Sequence, residues 1–161
     1  MRCKKVVIFA VFRTLVAAIA CVATVSALKA DEWDDLAQKF IKEEKASLVR
    51  RAVDQDDTII VLAHPLITER VVLAISKGRP AISFQFNSSV LPGDDAFQLM
   101  ARSGHLVTGR DTAAIMRDLH RAHEAASKEV YGVGFVVADG LAISCVSPRD
   151  SNTLSFLVAA D

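Results

Sequence analysis

His64, Asp139 and Ser147 are the residues whose types could combine in hydrolytic chemistry. An imidazole, a carboxylate and a hydroxyl make up a nucleophilic triad, in which the base takes the hydroxyl proton and the acid orients the base. No nucleophile-elbow glycine pattern surrounds Ser147, which argues against that triad. His64 is the strongest single candidate. It ends a long apolar run just before Pro65, where α/β sheets place their ligands. The plainer account is a polar residue closing a strand. His120 and His123 stand three apart and could share a metal, but no Cys or further His stands near them at ligand spacing. No metal or cofactor site is therefore expected. Arg117 and Arg121 are four apart and could hold a phosphate-containing ligand, although Asp118 and Glu124 beside them suggest a salt-bridged surface. Gly132-x-Gly134 lacks the helix start that would make it a phosphate cradle. Cys145 lies in an apolar run and reads as a small buried hydrophobe.

These residues need elements to position them. Asp31 to Gln55 is helical in pattern, with a stripe of Trp33, Leu36, Phe40 and Ile41 and a second of Leu48, Val49, Ala52 and Val53. The polar Lys42–Lys45 stretch between them suggests a break. Thr58–Ala63 is a continuous β-branched run, the pattern of a strand covered on both faces. Thr68–Ser76 reads as a helix, and Ala81–Phe86 as a strand parallel to the first. Asp95–Ser103 reads as a helix closed by Gly104, followed by a strand His105–Thr108. Asp111 caps a helix to about Val130 that buries Ile115, Leu119, Ala122 and Ala126. Tyr131–Ala138 and Leu141–Val146 flank the hairpin signal Asp139-Gly140, and Thr153–Ala159 is a last strand. The expected fold is α/β: a mixed, mostly parallel sheet with helices on both faces.

The chain has 161 residues, 52% of them hydrophobic, with 19 basic and 19 acidic side chains. That excludes disorder, and a strongly basic nucleic-acid binder. Residues 1–27 run basic, apolar, then small, the order of a secretory signal peptide with cleavage after Ala27. An uncleaved anchor and a lipid on Cys21 are the alternatives. Arg13 within the apolar stretch costs the anchor about 2–3 kcal/mol, and the residues before Cys21 lack the usual Leu. Cleavage removes Arg2, Lys4, Lys5 and Arg13 and no acid. The remaining 134 residues then carry 15 basic and 19 acidic groups, net −4, and one cysteine, Cys145. Residues 31–161 read as one domain, periplasmic or secreted, without a disulfide.

Three stretches carry a family likeness. Ala46–Phe86 reads helix, Thr-Ile-Ile-Val-Leu-Ala-His-Pro, helix, then Lys-Gly-Arg-Pro-Ala-Ile-Ser-Phe. Phe97–Val107 and Phe135–Ile143 follow in matching order. Together they resemble the phospholipase D superfamily, particularly its small secreted bacterial endonucleases, across nearly the whole exported domain. The resemblance implies a half-domain that completes its site by dimerising, with a His that attacks phosphorus and a Lys that holds phosphate. Those positions of the His-x-Lys…Asp signature are Gly132 and Gly134 here, with Asp139 retained. The family's Gly-Ser pair is Val146-Ser147, and its downstream Asn is Arg149.

The resulting expectation is an exported, non-hydrolytic phospholipase D-like module that binds or assembles as a homodimer. His64, Asp139 and Ser147 would be a remnant site. It touches membrane only through its export signal, and net −4 argues against strong nucleic-acid binding. The alternatives are an active phosphodiesterase rebuilt around His64, and an unrelated periplasmic α/β interaction protein.

Overall fold

The computed structural model describes residues 30–54, 57–76, 79–87, 92–148 and 152–160. The leader reading of residues 1–27 and the Arg149 position lie outside these, as do the side chains of residues 30–34, including Asp31 and Trp33.

Helix α1 (Ala30–Glu44) leads into a four-strand meander: β1 (Ser47–Asp54), β2 (Asp57–His64), β3 (Ile67–Ser76) and β4 (Arg79–Asn87). Two helices follow, α2 (Asp94–Thr108) and α3 (Thr112–Lys128), and then β5 (Val133–Ala138), β6 (Leu141–Val146) and β7 (Thr153–Ala160). The strands form one sheet in the order β1-β2-β3-β4-β7-β6-β5, and every neighbouring pair is antiparallel.

This overturns the mostly parallel α/β sheet with helices on both faces, and with it the phospholipase D-like half-domain architecture. The decisive segment is Ile67–Ser76, a strand rather than a crossover helix. Two residues, Pro65 and Leu66, separate β2 from β3, and Ser76 pairs with Arg79 across the next connection. Connections that short make hairpins, because a parallel crossover needs a dozen or more residues. Leu48, Val49, Ala52 and Val53 likewise lie on strand β1, not on the second half of a long helix.

The chain also passes through Gly104 in helical conformation, so His105–Thr108 is the last turn of α2 and not a strand. Gly104 is a packing position. A Cβ there would lie 3.0 Å from Val158 Cγ1 and 3.2 Å from Ile115 Cγ2. The terminating residue is Gly109, left-handed at φ 70°, whose N–H donates to the His105 carbonyl at 2.7 Å. Helix α3 begins as expected. The Asp111 side chain accepts from Ala114 N at 2.9 Å, and Ile115, Leu119, Ala122 and Ala126 are buried.

One face of the sheet makes the core. Ile60, Leu62, Val71, Leu73, Ile82, Phe84, Phe86, Ile143, Cys145, Phe156 and Val158 alternate inward beneath the helices. Ala37 and Phe40 bring α1 into the same core. Arg102 of α2 clamps Glu44 at the end of α1 through two hydrogen bonds, 2.8 and 2.7 Å. That bond holds the Arg102 pKa above its ordinary value.

Candidate functional site

The sheet does not bring His64, Asp139 and Ser147 together. His64 ends β2, where its Nδ1 accepts from Leu66 N–H at 3.1 Å, as a polar cap on the turn. Ser147 follows β6, four strand spacings away, or about 19 Å. Asp139 sits in the β5–β6 turn at the opposite end of β6, about 20 Å from Ser147. Asp139 and Gly140 have φ 51° and 74°, the paired positive values of a two-residue hairpin turn.

Gly132 and Gly134 do not line a cleft. Gly132 is buried at φ 64°, and a Cβ there would collide with the Ser147 carbonyl. A Cβ on Gly134 would collide with the Ala122 carbonyl oxygen and meet Ala126 N at 2.6 Å. These glycines let α3 and the β6 exit lie directly on β5. Neither position has room for a His or a Lys side chain.

The two helix histidines serve packing as well. Phe97 of α2 stacks on His120, with ring centroids 4.2 Å apart and planes at 21°. His123 is half-buried between Phe97 and Phe156, at 6.0 and 5.8 Å. Desolvation lowers its pKa, and the neighbouring His120 lowers it further. Among the described residues there is no group of three or more His, Cys, Asp or Glu placed to hold a metal. Arg121 is bonded to Asp118 at 3.1 Å, as a salt-bridged surface would have it.

The distinctive surface is the face of the sheet opposite the helices, which no described element covers. Strand register sorts its residues into rows. One row crosses all seven strands as Ala52, Ile59, Ala74, Ala81, Ala159, Ala142 and Val137. The next reads Arg50, Val61, Val72, Ser83, Leu157, Ser144 and Phe135. Polar residues border the pair, with Asp57 and Arg79 on one side and Arg70, Gln85 and Ser155 on the other. Arg70 Nε is itself bonded to Gln85 at 2.6 Å. An antiparallel sheet with one free face ordinarily alternates apolar and polar residues. This one carries a two-row apolar band with a polar rim.

The band becomes most exposed at β5, where Val133, Phe135 and Val137 are 45%, 58% and 50% accessible. Ser144 beside Phe135 is buried. The site residues proposed from sequence missed this surface entirely. Its signal was nonetheless present, as runs apolar at every position rather than at alternate ones.

Among the described residues the fold class is therefore a seven-stranded antiparallel sheet layered on one side by three helices. No family model, curated protein or solved structure matches the chain. No helix among the described residues is long and apolar enough to cross a membrane.

Proposed function

We propose that the chain is an exported, non-hydrolytic assembly module whose working surface is the helix-free face, and that the occupant of that face is a second copy of the chain. The basic, apolar, small order of residues 1–27 supports export. The observation that carries the reading is the apolar band itself. Thr58–Ala63 has the sequence pattern of a strand covered twice, and the described elements cover it once.

The size of the face suits a second copy. Seven strands about 4.8 Å apart, with the two band rows and the bordering Arg70, Gln85, Ser155, Val146 and Val133 row about 7 Å apart, give a face of roughly 600–700 Å². Stacking two such faces would bury about 1,200–1,400 Å² in all, within the range of specific protein pairs. The alanine row allows two sheets to approach closely, while Ile59, Val61, Val72 and Leu157 supply the contact area. An apolar patch of several hundred Å² with a polar rim is how such interfaces look when unoccupied.

The test is particle mass by light scattering on the purified chain and on the double variant Val72→Glu, Leu157→Glu. Both side chains lie on the helix-free face, so the core and the far-ultraviolet spectrum should be unchanged. The double variant is expected to have half the particle mass of the parent at micromolar concentration. An equal mass would overturn the reading, as would a parent that is already monomeric. Metal-independent hydrolysis of bis-p-nitrophenyl phosphate, lost on His64→Ala, would overturn the non-hydrolytic part.

A further inference from the structure

The two ends of the sheet are built differently. The β1 edge carries Arg50 and Arg51 and an irregularity between Leu48 and Arg50, which interrupts regular pairing. Charge and bulging are the usual guards of an exposed edge. The β5 edge, Val133-Gly-Phe-Val-Val-Ala138, has no charge and no proline. No described strand pairs with its outer side.

Its backbone phase can be read from the hairpin. Ala138 and Leu141 flank a two-residue turn, and Gly134 pairs with Cys145 and Val136 with Ile143. Ser147 N–H donates to the Gly132 carbonyl at 2.6 Å. The even-numbered residues therefore direct their N–H and C=O groups toward β6. Those of Val133, Phe135 and Val137 point outward, unpaired by any described strand. The same three residues present exposed apolar side chains to the helix-free face.

We infer that β5 is a second self-association site, working through its outer backbone edge rather than through the stacked face, at which β5 of another copy pairs antiparallel across a two-fold axis through Phe135. Phe135 then faces its own copy, and Val133 faces Val137 of the other chain. The three outward residues form closely spaced pairs, a ladder of about six hydrogen bonds with no like charges opposed. Two seven-stranded sheets become one continuous sheet, and the unguarded edges disappear.

The helices support this partner over an unrelated peptide. Helix α3 rides over β5 and β6, held close by Gly134. With strands about 4.8 Å apart, pairing brings the two α3 helices roughly 10 Å apart, an ordinary packing distance. By helical periodicity from buried Ile115, Leu119, Ala122 and Ala126, the flank over the edge carries Ala114, Asp118, Arg121 and Ala125. The alanines permit close approach, and Asp118 and Arg121 already neutralise each other at 3.1 Å.

The experiment uses the Val72→Glu, Leu157→Glu background, in which the stacked face is disabled, together with Cys3→Ser and Cys21→Ser. Phe135→Cys is then oxidised mildly. Narrow antiparallel pairs hold their Cα atoms about 5.5 Å apart, within disulfide range. The expected result is a disulfide-linked dimer formed at least tenfold faster than with Arg117→Cys on the exposed side of α3. Adding Val137→Lys, which sets a charge into the edge, is expected to cut that rate at least tenfold. Equal cross-linking at Phe135→Cys and Arg117→Cys would overturn the inference, and so would insensitivity to Val137→Lys. Either result leaves the stacked-face reading standing, because that reading is judged by the halving of mass.

Discussion

Gly134 on β5 lies against the Ala122 carbonyl of α3 so closely that a Cβ has no place to go. The contact sets the height of α3 above the sheet. It thereby brings Ile115, Leu119 and Ala126 into the core. A glycine that reads as a lost catalytic position is here the point where helix and strand touch.

Gly134→Ala should therefore destabilise the fold by about 2–3 kcal/mol, the usual cost of forcing atoms into a packed interior. Gly93, at the start of α2, has φ −75° and nothing within 4 Å of a built Cβ. Gly93→Ala should change stability by less than about 1 kcal/mol. Urea midpoints at unchanged m-value distinguish the two. Equal effects would contradict the packing account.

Asp111→Ala should cost about 1 kcal/mol, since it removes the side-chain acceptor for Ala114 N–H at the start of α3. Asp111→Asn, which keeps an acceptor oxygen, should recover most of that loss. Thermal midpoints of the two variants measure the difference.

Cys145 is fully buried, and desolvation pushes its thiol up to about 12 from an ordinary 9.0. It should be inert to thiol reagents at pH 8 in the native protein and react once the chain is unfolded. The raised pKa means that the native state holds this proton where the unfolded state releases it. Its contribution to stability is complete below pH 9 and declines as pH rises from about 9 toward 12. Cys145→Ala should flatten the alkaline limb of a stability–pH curve.

His123 shifts in the opposite sense. Burial, and then the nearby His120, lower its pKa below the ordinary 6.5. The unfolded chain binds this proton more readily than the native one. Stability from His123 is therefore present above pH 6.5 and is lost as pH falls through that value toward the native pKa. His123→Leu, which stays apolar between Phe97 and Phe156, should reduce the slope of stability against pH just below pH 6.5. An unchanged slope would show that His123 does not titrate with unfolding.

Much of the second half of the chain was legible. The α3 cap, its four buried residues and the Asp139-Gly140 hairpin depend on local rules that operate within a few residues. The first half misled for one physical reason. Val61, Val72 and Ala74 put apolar groups on the open face, alternating with Ile60, Leu62, Val71, Leu73 and Ile75 in the core. Strands apolar on both faces lose their two-residue period. Thr58–Ala63 then imitates a doubly covered parallel strand, and Val71, Val72 and Ile75 fall by chance at helical spacing.

The sequence by itself determined where apolar and polar residues fall, where α3 starts, where the chain reverses at Asp139-Gly140, and that Cys145 is buried. Tertiary structure alone decided that every strand pair is antiparallel and that the helices share one face. It also decided that His64 and Asp139 each stand about 20 Å from Ser147, in different directions. Strand order joins residues distant in sequence, such as those of β4 and β7, and no local pattern encodes it. An apolar residue is written identically in sequence whether its cover is its own helix or another molecule. Only the arrangement of the sheet shows which rows of this chain remain open.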